Sequence, residues 1–255
     1  MAKESKELTE AKFHQLLHNS INKPLTDIID EDEDFPIAKT HAVTWAKCQV
    51  NIKTKNILVD VYINYKNNDL TQAEFTKLIN LSNVGIQHYW SRTISVDGVK
   101  FTTIVKVHNR NSNSIPVDLY IERDKGYSRS MNPASFGVDA SFIYNQGAFS
   151  NKRFPKSAAD DDFKQVSAHE FGHSVLMHAG GVSLSWGHKG STNALTQSVK
   201  SSTPGYPASG PVDLMKYYDY DKSKGMRFSS LSKRTKAAEI DVKRLVWGAK
   251  LIWAK

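Results

Sequence analysis

Apolar and polar residues alternate with a period of two through much of the first half of the chain, the pattern of half-buried β-strands. Residues 42–65 contain two such runs, rich in β-branched and aromatic side chains. The runs 93–96 and 99–107 flank Asp97-Gly98, a dipeptide typical of a tight hairpin turn. Two further strands are predicted at 115–122 and 138–145.

Apolar positions recur at helical spacing in two segments of the same half. Residues 7–21 predict a short amphipathic helix. Residues 70–92 predict a longer one, with Thr71 as its N-cap and Glu74 three residues later, the two members of a capping box. Residues 22–40 contain a proline and the acidic run DIIDEDEDF, and we predict a connector there.

A third helix and a long loop are predicted in the second half. The aspartates at 160–162 favour a helix start, and Gly180-Gly181 favour its end. Residues 181–212 are rich in glycine, serine and proline, and a loop of that length is either functional or disordered. Helical periodicity returns over 233–254.

This order of elements favours an α+β fold with an N-terminal extension. Residues 1–40 are predicted to form a helix and an acidic linker. Residues 41–255 are predicted to form one domain with a mixed sheet, an internal helix and a C-terminal helix.

The composition excludes several classes of protein. Hydrophobic residues make up 40 % of the 255 residues, yet no run approaches the roughly 18 apolar residues of a membrane span. The first ten residues lack the apolar segment of a Sec signal peptide. Cys48 is the only cysteine, so a metal site must use histidine and carboxylate ligands. The net charge is +8, but the basic residues are scattered, and we expect no specific nucleic-acid binding.

Residues 169–173, HEFGH, form an HExxH motif on the third predicted helix. His169 and His173 are four residues apart and share a helix face, so both imidazoles can reach one metal ion. Glu170 projects over the same site, where it can act as a general base toward water. Two histidines leave room for a third ligand and an open position, as in catalytic zinc sites. The alternative is a chance match on a surface helix, but Gly172, which costs a helix roughly 1 kcal/mol relative to alanine, is easier to explain at a crowded site.

The motif does not identify a third ligand. The metzincin pattern needs a histidine at position 179, where the chain has alanine, and the gluzincin pattern needs a glutamate that does not occur before Glu239. His188, in a glycine-flanked loop, and Asp213, which begins the run DLMKYYDYD, are the leading candidates. Whichever of them is not a ligand is expected to orient a ligating imidazole. Weaker candidates are Asp219, Asp221, Asp241 and Glu239, and His178 is expected to lie outside the ligand set.

Met215 and Tyr217 have the M-x-Y spacing of the methionine turn that lies under the zinc of metzincins. Tyr217 can donate a hydrogen bond to the oxyanion that forms when water attacks a carbonyl, with Tyr218 in reserve. A buried methionine and tyrosine in an ordinary strand or turn explain the spacing equally well.

The combination of HEFGH, SWGHKGST and DLMKYY resembles the zinc metallopeptidase toxin domain at the C-terminus of extended VgrG spike proteins of bacterial type VI secretion systems. The resemblance is strongest over about 160–245. It implies a zincin-like fold and a Zn²⁺ ion held by His169 and His173, with Glu170 as the catalytic glutamate. It also implies a carboxylate third ligand, which favours Asp213 over His188.

The resemblance further implies an antibacterial zinc endopeptidase that is secreted without a Sec signal and delivered to the periplasm of target bacteria. Its partners would be a protein or peptide substrate, a cognate immunity protein and a secretion spike or carrier. The substrate is expected to lie extended beside a strand edge, such as 138–145.

Two other functions are consistent with the same residues. One is a hydrolase of peptidoglycan cross-links, which the positive charge would favour. The other is a non-enzymatic binding module, in which His188 and Asp213 together close a four-ligand zinc site.

Overall fold

In the computed structural model the described residues are 8–26, 42–134, 137–152, 154–223 and 228–254. The helices in these ranges are α1 (Glu10–Thr26), α2 (Gln72–Trp90), α3 (Ala158–Trp186), α4 (Phe228–Arg234) and α5 (Glu239–Gly248). The strands are β1 (Ala46–Asn51), β2 (Asn56–Asn67), β3 (Arg92–Val96), β4 (Val99–Asn109), β5 (Ile115–Glu122), β6 (Ala140–Asn145), β7 (Val212–Asp213), β8 (Thr235–Lys236) and β9 (Lys250–Ala254). None of the helices in the described ranges is both long and apolar enough to cross a membrane.

The main sheet is organised around β2. This strand pairs antiparallel with β1 and parallel with β4 over most of its length. Its last residues pair parallel with β5, which pairs parallel with β6. β3 lies antiparallel to β4, and β9 lies parallel to β1. The predicted α+β fold, with a mixed sheet and helices, is therefore confirmed.

Local sequence signals account for the elements of the first half. At the start of α2, the hydroxyl of Thr71 accepts from the backbone N–H of Glu74, whose carboxylate accepts from the N–H of Thr71 at 3.0 Å. The hairpin between β3 and β4 turns at Asp97 and Gly98, with φ of 50° and 78°, the left-handed conformation that this dipeptide adopts readily. Both predicted features are confirmed.

Three predicted boundaries are wrong, and packing explains the largest difference. The segment predicted as a C-terminal helix ends in β9, which adds its apolar side chains to the edge of the sheet beside β1. α1 continues to Thr26, beyond the predicted start of the connector. α3 resumes after a kink at Gly180 and Gly181 and reaches Trp186. The acidic run at 27–35 lies outside the described residues.

α3 packs against α2, α5 and β6, which fixes the position of the HExxH residues. Gly85 of α2 allows a close approach, because a Cβ there would lie 2.2 Å from the carbonyl oxygen of Lys164. Trp90 at the end of α2 donates from Nε1 to the carbonyl of Ala168 at 3.0 Å. Its ring also packs edge-on against Phe171. The turn that carries the motif is thus held on its buried side by aromatic packing.

Candidate metal centre

His169 and His173 lie on the same face of α3, with ring centroids 5.0 Å apart. The residue between them, Gly172, has no room for a side chain, since a Cβ would lie 2.1 Å from Sδ of Met215 and 2.9 Å from Cζ2 of Trp90. Met215 is fully buried. The unfavourable helical glycine therefore has a packing cause: Met215 rests directly on the helix backbone beside the two histidines.

His188 joins these two histidines. The ligand nitrogens of His169, His173 and His188 all lie within 4.8 Å of one another, and the group could hold a metal ion. The backbone at His188, Lys189 and Gly190 is left-handed, with φ of 46°, 59° and 82°. Such a run is costly for residues with a Cβ, so it needs support from the surrounding structure.

Hydrogen bonds orient the three imidazoles in the same way. Nδ1 of His169 lies 2.8 Å from the carbonyl oxygen of Leu214 and must donate to it. Ser185 donates its hydroxyl proton to the carbonyl of His173, so Oγ of Ser185 accepts from Nδ1 of His173 at 3.1 Å.

His188 follows the same rule. Thr192 donates its hydroxyl proton to the carbonyl of Trp186, so its Oγ1 accepts from Nδ1 of His188 at 2.8 Å. Each ring is then the Nδ1–H tautomer, with the lone pair of Nε2 left for another partner. Nε2 of His188 is buried and has no hydrogen-bond partner among the described residues. This donor set fits a metal ion, since a ligating histidine usually donates its other nitrogen in this way.

The environment keeps the three rings neutral. Burial lowers the pKa of His169, and the guanidinium of Arg129 adds to the effect. Burial and the two neighbouring histidines hold the pKa of His173 well below its usual range. Burial also lowers the pKa of His188 to about 3. Metal binding requires neutral imidazole, so the rings are ready to bind near neutral pH without first losing a proton.

Glu170 points its carboxylate toward the same group. Its Oε2 lies 3.9 Å from Nε2 of His173, and the residue is 6 % exposed. Burial raises the pKa of Glu170 to about 8, an effect that the charge of Arg129 opposes. The amide of Asn132 donates to the backbone carbonyl of Glu170 at 2.6 Å, which fixes the motif on the side facing the segment before β6.

Of the two leading candidates for a third ligand, His188 lies in the group and Asp213 does not. The carboxylate of Asp213 accepts from Nζ of Lys189 and from the backbone N–H of Met215. Lys189 also donates to Asp241 at 2.9 Å, and Arg244 donates to the other oxygen of Asp241 at 2.7 Å. The resemblance favoured a carboxylate at this point, but the basic side chain beside His188 binds that carboxylate instead.

This ion network supports the left-handed turn at His188. Burial lowers the pKa of Lys189, but the carboxylates of Asp241 and Asp213 more than offset it and hold the pKa above its usual value. Burial likewise raises the pKa of Asp241, and Lys189 and Arg244 bring it below its ordinary range. Lys189 is therefore a charged tether between the His188 turn and α5, and its role was missed because a lone lysine carries no sequence signal.

The weaker ligand candidates lie elsewhere. His178 packs against Trp247, with ring centroids 5.7 Å apart and planes inclined by 36°. Asp219 pairs with Lys222 at 3.3 Å. Asp221 is not part of the three-histidine group, and its backbone N–H donates to the carboxylate of Asp219 at 3.0 Å. The carboxylate of Glu239 accepts from the backbone N–H of Ser95 at 2.8 Å, at the start of α5.

Tyr217 lies over the histidine group and lines a cleft of about 590 Å³ that also contains His169 and Glu170. Its ring stacks on His188 at 4.0 Å between centroids. Tyr218 also lines the cleft, but its hydroxyl accepts from the backbone N–H of Asp213 at 3.2 Å. Arg129 contributes to the cleft and donates to the hydroxyl of Tyr217, a contact for which the sequence contained no signal.

The strand edge expected to receive a substrate is already covered at one point. Ser141 of β6 exchanges both backbone hydrogen bonds with Met131, at 2.9 and 2.8 Å. The neighbouring N–H of Ile143 donates to the hydroxyl of Ser130. The segment that contains Arg129 therefore occupies this edge of β6.

Comparison with known proteins yields no relative. No family model, no curated protein and no solved structure matches the chain. A proposal about function therefore depends on the chemistry of the three-histidine group and its cleft.

Proposed function

We propose that this protein is a zinc-dependent metallopeptidase of zincin-like design. The observation that supports this most directly is the convergence of three neutral imidazoles, each with Nε2 available, on a cleft that also contains a buried glutamate. His169, His173 and His188 would hold the ion. Within the described ranges the group contains three histidines and no fourth ligand, which matches the open coordination of catalytic zinc sites.

When bound, zinc polarises a carbonyl group as a Lewis acid and lowers the pKa of water toward neutrality. The remaining roles belong to the chain. Glu170 would take a proton from the attacking water and deliver it to the leaving amine. Its raised pKa suits a group that both accepts and returns a proton, and a cation held by the three histidines would favour its charged form.

Tyr217 supplies the hydrogen-bond donor expected of an oxyanion site. Its hydroxyl faces the cleft near Glu170 and accepts from Arg129, which leaves its own proton available for a substrate oxygen. The stack on His188 fixes the ring in position before the substrate arrives. Preorganised donors of this kind stabilise the developing charge without further reorganisation.

Two expectations from the resemblance are part of the proposal. The enzyme would act as an antibacterial effector in the periplasm of target bacteria, and it would be paired with an immunity protein and a secretion spike or carrier. A peptidoglycan cross-link hydrolase is the second candidate, and the net charge of +8 favours it because the bacterial wall is anionic. The binding-module alternative loses its main support, since Asp213 is engaged by Lys189.

Elemental analysis of purified variants, each checked for folding, tests the metal assignment. Wild type and Asp213→Asn should retain about one zinc per chain, and His188→Ala should lose most of it. Glu170→Gln should retain zinc while cleavage of a casein or peptide substrate falls by roughly 10²- to 10⁴-fold. A fully active Glu170→Gln protein would refute the role of that residue. Zinc-loaded wild type that cleaves purified sacculi but no protein substrate would favour the second candidate.

A further inference from the structure

Arg129 is a cation on the wall of the cleft whose described hydrogen-bond partners are both neutral, while its charge acts on the carboxylate of Glu170. Its guanidinium donates to the amide oxygen of Gln197 at 3.1 Å and to the hydroxyl of Tyr217. Within the described ranges no carboxylate lies within ion-pair distance of it. A guanidinium has five N–H donors, so these two contacts leave donors free to face the cleft.

The other charges in the cleft do not neutralise Arg129. Lys216 also lines the cleft, and in the part of the chain that the structure describes it forms no ion pair. The carboxylate of Asp213 is taken up by Lys189. That leaves Glu170, whose carboxylate faces the three-histidine group. Once a divalent cation is bound there, the cleft carries an excess of positive charge next to the reacting position.

We infer that Arg129 is a specificity-determining residue that binds a carboxylate of the peptide substrate, so that the enzyme prefers peptides bearing an anionic group close to the cleaved bond. The inference rests on the proposed function. A planar guanidinium recognises a carboxylate with two parallel hydrogen bonds, which fixes the orientation of the bound chain as well as its affinity. Arg129 also donates to the hydroxyl of Tyr217. A carboxylate bound by Arg129 would therefore lie beside the residue proposed to stabilise the oxyanion.

The carboxylate can come from an acidic side chain, from the C-terminus of a substrate chain or from a stem peptide of the bacterial wall. The chemistry of recognition is the same in all three. Peptides that carry glutamate or glutamine at each position in turn, and peptides with a free or an amidated C-terminus, separate the first two sources. Purified sacculi provide the third.

The test measures kcat/KM of the zinc-loaded full chain for each glutamate peptide relative to its glutamine partner, and for each free acid relative to its amide. Wild type should prefer the anionic member of at least one pair by about 10-fold or more, the effect of one hydrogen bond to a charged group. Arg129→Met should reduce this ratio to near one, and Arg129→Lys should preserve part of it. Lys106→Met removes an exposed cation outside the cleft and should leave the ratio unchanged.

The ratio separates anchoring from a general structural role, because a loss of folding or of Tyr217 positioning lowers cleavage of both members of a pair. Binding of the same pairs to zinc-loaded Glu170→Gln measures the preference without turnover. If wild type cleaves no peptide, the proposed function fails, while the binding ratio still decides the role of Arg129. A ratio near one in wild type, or an unchanged ratio in Arg129→Met, would overturn the inference.

Discussion

The ring of Tyr217 stacks on the ring of His188, with centroids 4.0 Å apart and planes inclined by 22°. The same tyrosine ring lies 5.8 Å from His169, nearly parallel to it. The sequence indicated His188 as a candidate third ligand and Tyr217 as a candidate oxyanion donor, with no sign of contact between them. In the structure the two side chains pack together. The stack gives Tyr217 a packing role in addition to the chemical role proposed for it.

Replacing Tyr217 by phenylalanine separates these two roles. The stack on His188 is preserved and the hydroxyl is lost, so zinc content should remain near wild type. The rate kcat should fall by about 10²–10³-fold, as for removal of one oxyanion donor. Tyr217→Ala should in addition weaken zinc retention, measured by competition with a chelator. Equal zinc loss in both variants would show that the hydroxyl, not the ring, supports the site.

Thr192→Val tests the hydrogen bond that orients His188. Valine has nearly the shape of threonine but cannot accept from Nδ1, so the ring loses its fixed tautomer. We expect zinc affinity to fall by about 10–100-fold although no ligand is removed. Thr102→Val on the exposed face of β4 is the matched control and should bind zinc like wild type. Unchanged affinity in Thr192→Val would mean that packing alone orients His188.

Gly172→Ala should destabilise the fold through one contact. The added Cβ meets Sδ of Met215, and the close ring of Trp90 limits any shift of the helix. The free energy of unfolding in urea should fall by about 1–3 kcal/mol. Gly126→Ala, where a Cβ has nothing within 4 Å, should have little effect. Met215→Ala costs stability by itself, so the double variant should lose less than the sum of the two single losses, and additive effects would contradict the proposed clash.

Lys189→Met removes the cation from a buried network. Asp213 would then lose its ion-pair partner and Asp241 would keep only Arg244, at an expected cost of about 3–5 kcal/mol in unfolding free energy. Zinc should also dissociate faster, because the turn that carries His188 loses its tether to α5. Adding Asp213→Asn should restore part of the stability. If the double variant is no more stable than Lys189→Met, the loss of stability comes from the shape of the methionine side chain and not from the missing charge.

Asp162 should make stability depend on pH outside the metal centre. Burial raises its pKa from 3.8 to about 6, against the hydrogen bond from Tyr127. The carboxyl is neutral in both states well below pH 4, and stability is lost as the pH rises from the unfolded pKa of 3.8 to the folded pKa of about 6. Asp162→Asn should therefore be more stable than wild type by about 1–2 kcal/mol at pH 7.5, allowing for partial exposure. The difference should vanish below about pH 3, where the carboxyl is protonated in both states, and urea titrations at both pH values measure it.

The sequence predicted the parts of the fold that short-range signals specify. The capping box at Thr71, the hairpin at Asp97-Gly98 and the alternation of β2 are local, and each appears as expected. The strand β9 could not be predicted, because its pairing with β1 depends on a contact some 200 residues away along the chain. A short apolar run reads equally well as helix or strand until its partner is known.

The candidate site shows the same division. HExxH is a local motif and sets His169, Glu170 and His173 on one helix face. The choice between His188 and Asp213 depends on Lys189, which binds the aspartate and leaves the histidine free. Arg129 enters the cleft from a segment with no motif at all. Long-range ion pairs and hydrogen bonds therefore determine which of these side chains lie together, and residue spacing does not encode those contacts.

The link between Lys189 and Asp241 has a consequence for the order in which the protein matures. Lys189 also binds Asp213, but Asp241 is 52 positions away, so the turn that carries His188 gains its second carboxylate only when α5 has been synthesised and has docked. Until then one ion pair alone holds the turn that positions the third histidine. Tight binding of an ion by the three histidines would thus coincide with completion of the fold.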